Sequence, residues 1–259
     1  MDKSGANDVL IVLATYNERD NVVPLVTEIR GLLPQADVLV VDDNSPDGTG
    51  RLVDHLAYLD TQVVPLHRKS ERGLGTAIVA GLRYAIERNY RLVVNLDADY
   101  SHNPKDIPRF LEKIDSGTYD LVIGSRYIPG GGIKNWGIAR RMTSRGVNWL
   151  ARFGLGLTAR DCSGAFRCYR VEMLSEVDFS SVHSKGYAFL EEMLLHCRQV
   201  GARMIEIPIV FTDRKEGSSK VGFSQICRSL YDLFYVATVK RRSLRPVYVA
   251  NTLPESVRP

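Results

Sequence analysis

The sequence predicts an α/β protein with a mostly parallel sheet flanked by helices. Short apolar runs rich in β-branched residues, which are typical of buried strands, alternate with helical segments over short connections. Several of these runs end directly in polar or acidic residues, as expected where the carboxyl ends of parallel strands border a ligand site. The chain has 259 residues, which is long enough for one large domain with a substantial core.

The elements of the first half follow one another regularly. Pro24, after the polar loop at residues 15–21, is expected at the start of the first helix, because Pro is tolerated in a first helical turn. The predicted strands cover residues 9–14, 38–41, 63–66, 92–96, 121–124 and, in the second half, 204–211. The predicted helices cover residues 24–33, 50–59, 76–89, 104–116, 139–153 and 185–199. A Pro-Gly-Gly-Gly run at residues 129–132 ends the alternation, so the regular half is expected to end near residue 128.

The composition limits the possible functions. A net charge of +4 is mildly basic, which fits a protein acting on phosphates or at an anionic membrane face and does not call for a nucleic-acid partner. The four cysteines form no C-x-x-C pair, so no zinc or thioredoxin-type site is expected. Free thiols, the lack of a signal-peptide pattern and the lack of an apolar stretch of ~18 residues predict a cytoplasmic protein that does not cross a bilayer.

The most informative stretch is a carboxylate pair, Asp97 and Asp99, directly after the apolar run at residues 92–96. Two carboxylates so close together repel each other, and a divalent cation removes the repulsion, because Mg²⁺ and Mn²⁺ prefer oxygen ligands. Mg²⁺ usually takes one or two protein carboxylates and completes its shell with water and substrate phosphate. The pair therefore predicts a metal–diphosphate site, although an isolated Asp-x-Asp is more often ordinary turn sequence.

The second half of the chain contains two helical segments with two interpretations each. The helix at residues 139–153 carries several arginines, which either form a solvated face or bind phosphate. Residues 223–239 have apolar side chains at helical spacing, flanked by Tyr231 and Tyr235 and followed by three basic residues. This segment is either a helix packed on the core or an amphipathic interfacial helix that lies on a membrane.

Eight short motifs occur in a fixed order along residues 9–240. They are Ala14-Thr15-Tyr16-Asn17-Glu18, Val41-Asp42-Asp43-Asn44-Ser45-Pro46-Asp47-Gly48-Thr49, Gly73-Leu74-Gly75-Thr76-Ala77, Asp97-Ala98-Asp99-Tyr100-Ser101-His102-Asn103-Pro104, Gly124-Ser125-Arg126-Tyr127, Ser144-Arg145-Gly146, Lys185-Gly186-Tyr187 and Asp213-Arg214 with Gly217-Ser218-Ser219-Lys220. Each motif is weak alone, but the ordered set resembles the dolichyl-phosphate (polyprenyl-phosphate) mannose synthases, which are inverting family 2 glycosyltransferases with a GT-A fold.

This resemblance implies transfer of mannose from GDP-mannose to a polyprenyl (dolichyl-type) monophosphate, with Mg²⁺ or Mn²⁺ as cofactor. It implies Asp97, Asp99 and Ser101 as metal ligands, and Asp97, Asp99 and Arg126 as catalytic residues. The implied substrate-binding residues are Ala14, Tyr16, Glu18, Val41, Asp43, Asp97, Ala98, Asp99, Arg126, Arg140, Arg214 and Lys220. Arginine and lysine suit such a site, because the departing diphosphate carries charge that must be stabilised in the transition state.

Two positions depart from the family pattern. Ala14 replaces a common Pro, which should be tolerated because the contact there is largely made by the backbone. Ser101 stands where some members carry a metal-binding Gln, so the third protein ligand of the metal stays open. The loop at residues 213–220 is expected to close over the site when the donor binds.

The nature of the acceptor determines whether a base is needed. A polyprenyl phosphate is already ionised near neutral pH, since its second pKa is about 6, and it needs positioning more than deprotonation. A sugar hydroxyl acceptor would need a base, which Glu191 or Glu192 could supply. Structural roles for both glutamates are the alternative.

Other function classes fit this sequence less well. A nicotinamide-dependent oxidoreductase would need a third glycine after Gly73-Leu74-Gly75, where Ile78 stands, and would carry the motif after its first strand. A regulatory subunit without activity is disfavoured by the intact Asp97 and Asp99. The stronger alternative is a polyprenyl-phosphate glycosyltransferase that uses UDP-glucose or another nucleotide sugar, because sugar selection depends on pocket contacts.

The predicted organisation is a single GT-A catalytic domain over residues 1–244 and a tail at 245–259. Within the domain we expect a nucleotide-binding half at about 8–128, an acceptor-binding half at about 129–222 and the interfacial helix at about 223–239. The expected location is peripheral, on the cytoplasmic face of a membrane, where the lipid substrate lies. A separate small membrane subunit is a further expected partner.

Overall fold

A seven-stranded sheet forms the centre of the protein. The computed structural model describes residues 8–69, 72–184, 186, 188–213, 231, 232, 234–236 and 238. Within these residues the strands are β1 Val9–Thr15, β2 Asp37–Asp42, β3 Val63–His67, β4 Leu92–Asp97, β5 Leu121–Ser125, β6 Gly132–Lys134, β7 Arg167–Arg170, β8 Met204–Pro208 and β9 Val210–Thr212. The α-helices are α1 Arg19–Leu32, α2 Thr49–Leu59, α3 Leu74–Glu87, α4 Ile107–Asp115, α5 Ile138–Leu155, α6 Val171–Ser175 and α7 Phe189–Gln199.

The strand order of the large sheet is β3-β2-β1-β4-β7-β5-β8. All neighbouring strands are parallel except β7, which runs antiparallel to both β4 and β5. A small second sheet pairs β6 with β9 in parallel. The predicted mostly parallel α/β architecture is therefore confirmed, with one antiparallel strand inserted near the middle.

Helices cover both faces of the large sheet, and each face has its own apolar cluster. Ile11 and Leu13 of β1 belong to one cluster, which includes side chains of α1, α2 and α4. Leu10 and Val12 belong to the other, which includes side chains of α3, α5 and α7. Strands buried on both faces explain the near-continuous apolar runs that predicted them.

Helix α1 begins earlier than expected. It starts at Arg19, and Pro24 lies inside it, so the prediction that Pro24 opens the helix was wrong. The first turn forms because the carbonyl of Glu18 accepts hydrogen bonds from the backbone N–H groups of Asn21 and Val22. The predicted boundaries of the first five strands agree with the structure to within one residue at either end.

The second half contains elements that the sequence did not reveal, namely β6, β7 and α6. The strand expected at residues 204–211 divides at Ile209. The N–H of Ile209 donates to the carbonyl of Ser125, and its own carbonyl accepts from the N–H of Gly132. The chain thus passes from the large sheet to the small one at this residue.

The far end of the chain is described only in part. The described residues of the segment predicted as an interfacial helix, 231, 232, 234–236 and 238, are helical. Arg214 and Lys220 lie outside the described residues, as does most of the expected closing loop. Among the described helices we find none with the length and apolar character needed to span a bilayer. The division into a nucleotide-binding and an acceptor-binding half stays a prediction.

Candidate active site

The predicted site residues follow the carboxyl ends of adjacent parallel strands at one edge of the sheet. Tyr16 and Glu18 follow β1, Asp43 follows β2, and Asp97 is the last residue of β4. Strands β1 and β4 are neighbours in the sheet. The chain continues from β1 to β2 on one side and from β4 to β5 on the other, so the strand order changes direction between β1 and β4. Ligands of open α/β sheets bind at such points.

The central strands bring three predicted donor-binding residues side by side. In the sheet register Ala14 of β1 is opposite Val41 of β2 on one side and opposite Asp97 of β4 on the other. Val41 is fully buried within the sheet. Ala14, Val41 and Asp97 thus lie side by side in the sheet, and their contacts with the donor stay a prediction.

The loops after β1 and β2 are bonded to each other. The N–H of Glu18 donates to Thr49 Oγ1 at 3.0 Å, and the N–H of Arg19 donates to Asp47 Oδ2 at 3.1 Å. The backbone of Glu18 is thereby fixed to the start of α2. The loops that are expected to bind the nucleotide are therefore held in place by hydrogen bonds within the protein.

Asp43 anchors the segment that precedes α3. Its buried carboxylate accepts a hydrogen bond from Arg68 Nε at 2.7 Å and another from the N–H of Gly73 at 2.9 Å. Nearby, the guanidinium of Arg72 lies 5.4 Å from the ring centroid of Tyr16. The sequence analysis assigned no role to these two arginines, which bring positive charge to the donor end of the site.

The turn after β4 joins the second carboxylate to the backbone of a buried serine. Asp99 Oδ1 accepts a hydrogen bond from the N–H of Ser101 at 3.0 Å, and Tyr100 between them has a positive φ of 60°. Both Asp99 and Ser101 are almost fully buried. Ser101 Oγ is buried without a hydrogen-bond partner among the described residues. An unpartnered buried oxygen beside a carboxylate is the arrangement expected of a metal ligand.

The chemistry of this donor set fits a hard divalent cation. The described residues contain no cluster of three or more His, Cys, Asp or Glu side chains suited to a metal ion. The available oxygens are those of Asp97, Asp99 and Ser101, too few for a site made of protein ligands alone. Mg²⁺ and Mn²⁺ sites commonly use one or two carboxylates and leave the other positions to substrate phosphate and water.

His102 fixes the turn that carries the two carboxylates. Its buried ring lies between Phe166 and Phe211, with centroid distances of 5.3 and 5.2 Å, and its Nδ1 lies 3.2 Å from the N–H of Asp97. Burial lowers the pKa of His102 to about 4, and the positive charge of Arg126 contributes in the same direction. The imidazole is therefore neutral at physiological pH, and its Nδ1 accepts the hydrogen bond of Asp97.

Arg126 follows β5 and is held by a buried ion pair with Asp161. Arg126 Nε and Nη2 donate to the two oxygens of the Asp161 carboxylate at 2.7 Å each, and Nη2 also donates to Ser163 Oγ at 2.9 Å. Burial opposes the charge on this guanidinium, but Asp161 outweighs that effect and holds the pKa of Arg126 above its ordinary value. Sequence reasoning missed Asp161; the only signal for it is an acidic residue within a basic stretch.

The segment that contains Asp161 is fixed from two sides. Glu206 of β8 accepts hydrogen bonds from the N–H groups of Arg160 and Asp161 at 2.8 and 2.9 Å. The fully buried Arg167 donates to the carbonyls of Cys162, Gly164 and Leu190 at 2.6, 2.9 and 2.7 Å. Residues 160–164 therefore form a rigid support for the Arg126–Asp161 pair.

The two glutamates considered as bases differ in their surroundings. Glu192 accepts hydrogen bonds from the N–H groups of His183 and Ser184 at 2.9 and 2.7 Å, which is a structural role. Glu191 is buried, and its Oε2 has no partner among the described residues. Burial raises the pKa of Glu191 to about 7, against the opposing charge of Arg167.

Arg140 lies on the outer side of the site. Its Nη1 is 3.0 Å from both carboxylate oxygens of Asp213, and its guanidinium lies 4.1 Å from the ring centroid of Trp136. The guanidinium of Arg126 lies 5.8 Å from the same ring. Trp136 thus lies against both predicted phosphate-binding arginines.

Comparisons with known proteins identify the family of this chain. Residues 10–178 match the family described as glycosyl transferase family 2. A polyprenol monophosphomannose synthase of Mycolicibacterium smegmatis is 42% identical over 223 residues, covering 86% of this chain and 84% of the relative. An undecaprenyl-phosphate mannosyltransferase of Micrococcus luteus is 43% identical over 213 residues, covering 82% of this chain and 87% of the relative.

Two solved structures share the fold at low sequence identity. Glucosyl-3-phosphoglycerate synthase from Mycobacterium tuberculosis, solved with Mn²⁺, UDP and glucosyl-3-phosphoglycerate, has a TM-score of 0.62 at 15% identity and covers 92% of this chain and 81% of its own. A mannosyltransferase from Pyrobaculum calidifontis, solved with GDP-Man and Mn²⁺, has a TM-score of 0.58 at 17% identity and covers 93% of this chain and 66% of its own.

These likenesses confirm the predicted GT-A architecture. The two curated relatives confirm the resemblance to polyprenyl-phosphate mannose synthases that the ordered motifs indicated. By its fold, by the family match over residues 10–178 and by these relatives, the chain belongs to glycosyl transferase family 2.

Proposed function

We propose that the protein transfers mannose from GDP-mannose to a polyprenyl (dolichyl-type) monophosphate with inversion, forming polyprenyl-phosphate mannose. The observation that carries this proposal is the identity of 42% and 43%, over most of both chains, to relatives named for these reactions. The product would serve as a membrane sugar donor. UDP-glucose or another nucleotide sugar is the alternative donor.

The donor would bind where the ends of β1, β2 and β4 meet. Asp97, Asp99 and Ser101 would hold Mg²⁺ or Mn²⁺, which is supported by the unpartnered Ser101 oxygen beside Asp99. A bound cation would stabilise the diphosphate as a leaving group. Tyr16, Glu18 and Asp43 would contact the nucleotide, and the backbone of Ala14, Val41 and Ala98 would line its path. The Pyrobaculum neighbour, solved with GDP-Man and Mn²⁺, is consistent with such a site on this fold.

Arg126 would stabilise the negative charge at the reacting phosphates. Its guanidinium is held rigidly by Asp161 and lies within electrostatic range of Asp97. A preorganised charge of this kind needs little rearrangement as the reaction proceeds. Arg140, Arg214 and Lys220 would supply further phosphate contacts. Because the acceptor phosphate is already ionised, the reaction needs no base, in agreement with the structural use of Glu192.

Helix α5 offers a surface for the membrane that contains the acceptor. Four large apolar side chains, Ile138, Met142, Trp149 and Phe153, are 79%, 68%, 61% and 76% exposed. At 3.6 residues per turn they fall within an arc of about 60° on the helix. We name them the α5 stripe. An exposed apolar stripe next to basic residues is typical of a helix lying in a membrane interface, which supports a peripheral membrane location. We propose the cytoplasmic face for it. A small membrane subunit is a further possible partner for such a surface.

The experiment that tests the function measures radiolabel transfer from GDP-mannose to a polyprenyl phosphate in detergent micelles. Label should enter the lipid, EDTA should abolish the transfer, and Asp99→Asn should lower the rate on the order of 100-fold. Asp54→Asn is the matched control, because that carboxylate is exposed, pairs with His67 and is not among the predicted site residues. The control variant should retain the parental rate.

Other outcomes would change the proposal in defined ways. Label from UDP-glucose alone would keep the reaction type and replace the donor. Tight metal-dependent nucleotide binding without lipid labelling from either donor would reject the polyprenyl phosphate acceptor under these conditions.

A further inference from the structure

A pocket lined by four arginines lies between α5, the segment after β5 and Arg160. Its volume is about 550 Å³. Its walls include Arg126, Arg145, Arg152 and Arg160, together with Asn148 and Trp149. The carboxylates Asp97 and Asp99 are not part of this lining. The pocket therefore shares Arg126 with the proposed catalytic site but does not include the proposed metal-binding carboxylates.

The pocket carries uncompensated positive charge. Arg126 is paired with Asp161, but among the described residues the guanidinium groups of Arg145, Arg152 and Arg160 form no ion pair, and Glu206 bonds only the backbone N–H of Arg160. Arg145 and Arg152 project from the same face of α5, two turns apart. Clustered guanidinium groups without counter-charges attract anions, and their planar donor pairs suit phosphate oxygens in particular.

The position of the pocket identifies the source of the anion. On α5, Arg145 and Arg152 lie along one border of the α5 stripe, about 20° to 40° from Ile138 around the helix. Trp149 belongs both to the stripe and to the pocket wall, and its ring stacks on Phe153 with centroids 5.7 Å apart. A membrane that contacts the stripe would therefore bring its phosphate layer to the mouth of the pocket.

We propose that the side of this pocket formed by Arg145, Arg152 and Arg160 binds the phosphate headgroup of an anionic phospholipid, separately from the acceptor phosphate that Arg126 would contact. The inference rests on the proposed membrane substrate, because a membrane must be present to supply the lipid. The pocket volume leaves room for a glycerol-linked phosphate as well as its charge. Occupancy of the pocket orients the protein so that the catalytic edge faces the bilayer surface.

Vesicle co-sedimentation with EDTA and without sugar nucleotide tests this proposal independently of catalysis. The vesicles consist of phosphatidylcholine alone or of phosphatidylcholine mixed with phosphatidylglycerol. The triple variant Arg145→Gln/Arg152→Gln/Arg160→Gln should bind the anionic vesicles on the order of 100-fold more weakly than the parent. Its weaker binding to phosphatidylcholine vesicles should stay unchanged, because the apolar stripe is intact.

Two further variants separate a shaped pocket from general surface charge. Arg51→Gln/Arg88→Gln/Lys105→Gln removes the same charge from exposed positions on other elements and should change the binding no more than a few-fold. Arg145→Lys/Arg152→Lys/Arg160→Lys keeps the charge but loses the planar donors, and should recover only part of the affinity. Full recovery with lysine, or an equal loss in the control variant, would overturn the proposal.

A soluble competitor distinguishes the two sources of phosphate. Glycerol 3-phosphate should displace the protein from anionic vesicles only weakly, because it lacks the membrane anchor. Tight binding of free glycerol 3-phosphate, abolished in the glutamine variant, would overturn the lipid source. Asp99→Asn should sediment with anionic vesicles like the parent, so failure of sugar transfer and failure of lipid binding are observed separately.

Discussion

Replacing Asp161 by Asn is expected to destabilise the protein by about 3–5 kcal/mol, because it breaks a buried ion pair by removing one charge. The Asp161 carboxylate is fully buried and accepts from the N–H, Nε and Nη2 of Arg126 at 2.9, 2.7 and 2.7 Å. Asn keeps one acceptor oxygen but turns an N–H₂ group towards a guanidinium donor. Arg126 is then left buried without a counter-charge.

The matched control is Asp213→Asn, which makes the same substitution in a more exposed pair. Arg140 Nη1 lies 3.0 Å from both Asp213 oxygens, as in a regular ion pair, but the two side chains are 38% and 29% exposed. Pairs open to solvent contribute about 0–1 kcal/mol. Burial alone therefore predicts a difference of several kcal/mol between the two variants.

The assay is urea-induced unfolding near pH 7, followed by fluorescence, with the transfer rate measured on the same preparations. Asp161→Asn should also lower the transfer rate at least about tenfold at saturating substrates, because Arg126 loses its fixed orientation. A double-mutant cycle with Arg126→Met should show strong coupling between the two positions. The reasoning fails if Asp161→Asn is no more destabilising than Asp213→Asn, or if the cycle shows no coupling.

Three further predictions concern the metal site, a buried acid and the core. Ser101→Ala should weaken Mn²⁺ binding in the presence of GDP about tenfold by calorimetry, and an unchanged affinity would remove Ser101 from the metal site. Burial raises the pKa of Glu191 from 4.5 to about 7, so the free energy of unfolding of the parent falls as pH rises through that range. In urea unfolding, Glu191→Gln should therefore be as stable as the parent near pH 4 and about 3 kcal/mol more stable near pH 8. Gly81→Ala should destabilise the protein by about 1–3 kcal/mol in the same assay, because a Cβ at this position would lie 2.4 Å from Val12 Cγ1. Gly31→Ala is the control: a Cβ there would have no neighbouring atom within 4 Å, so this variant should be about 0.5–1 kcal/mol more stable than the parent.

The regular part of the fold could be predicted because its strands are buried on both faces. Strand β1 presents side chains to two separate apolar clusters, and such a run stands out clearly in the sequence. Strand β7 gave no comparable signal, because it has four residues and an arginine at each end. Arg167 can be buried there only because three backbone carbonyls accept its hydrogen bonds. Two of them lie just before the strand, in Cys162 and Gly164, and the third is in Leu190 of α7.

Some residues of the candidate site could likewise be predicted from the sequence, and others could not. Asp97 and Asp99 could be found because they directly follow a strand, and Arg126 because it belongs to a motif after another strand. Asp161 could not, because it lies 35 residues from Arg126 in the sequence and in a segment without regular structure. The unpartnered Ser101 oxygen likewise depends on a buried turn, which the residue types alone do not determine.

The insertion of β7 between β4 and β5 has a consequence for how the chain folds as it is synthesised. Strands β1 to β4 pair with one another and can assemble early, but β5 has no neighbour in the sheet until residues 167–170 have left the ribosome. Until then β4 and β5 each present an unpaired edge, which invites aggregation. The carboxylate pair and the loops after β1 and β2 therefore complete before Arg126 and Asp161 meet. A chain arrested at that stage is expected to bind the nucleotide and metal without the arginine that the transfer needs.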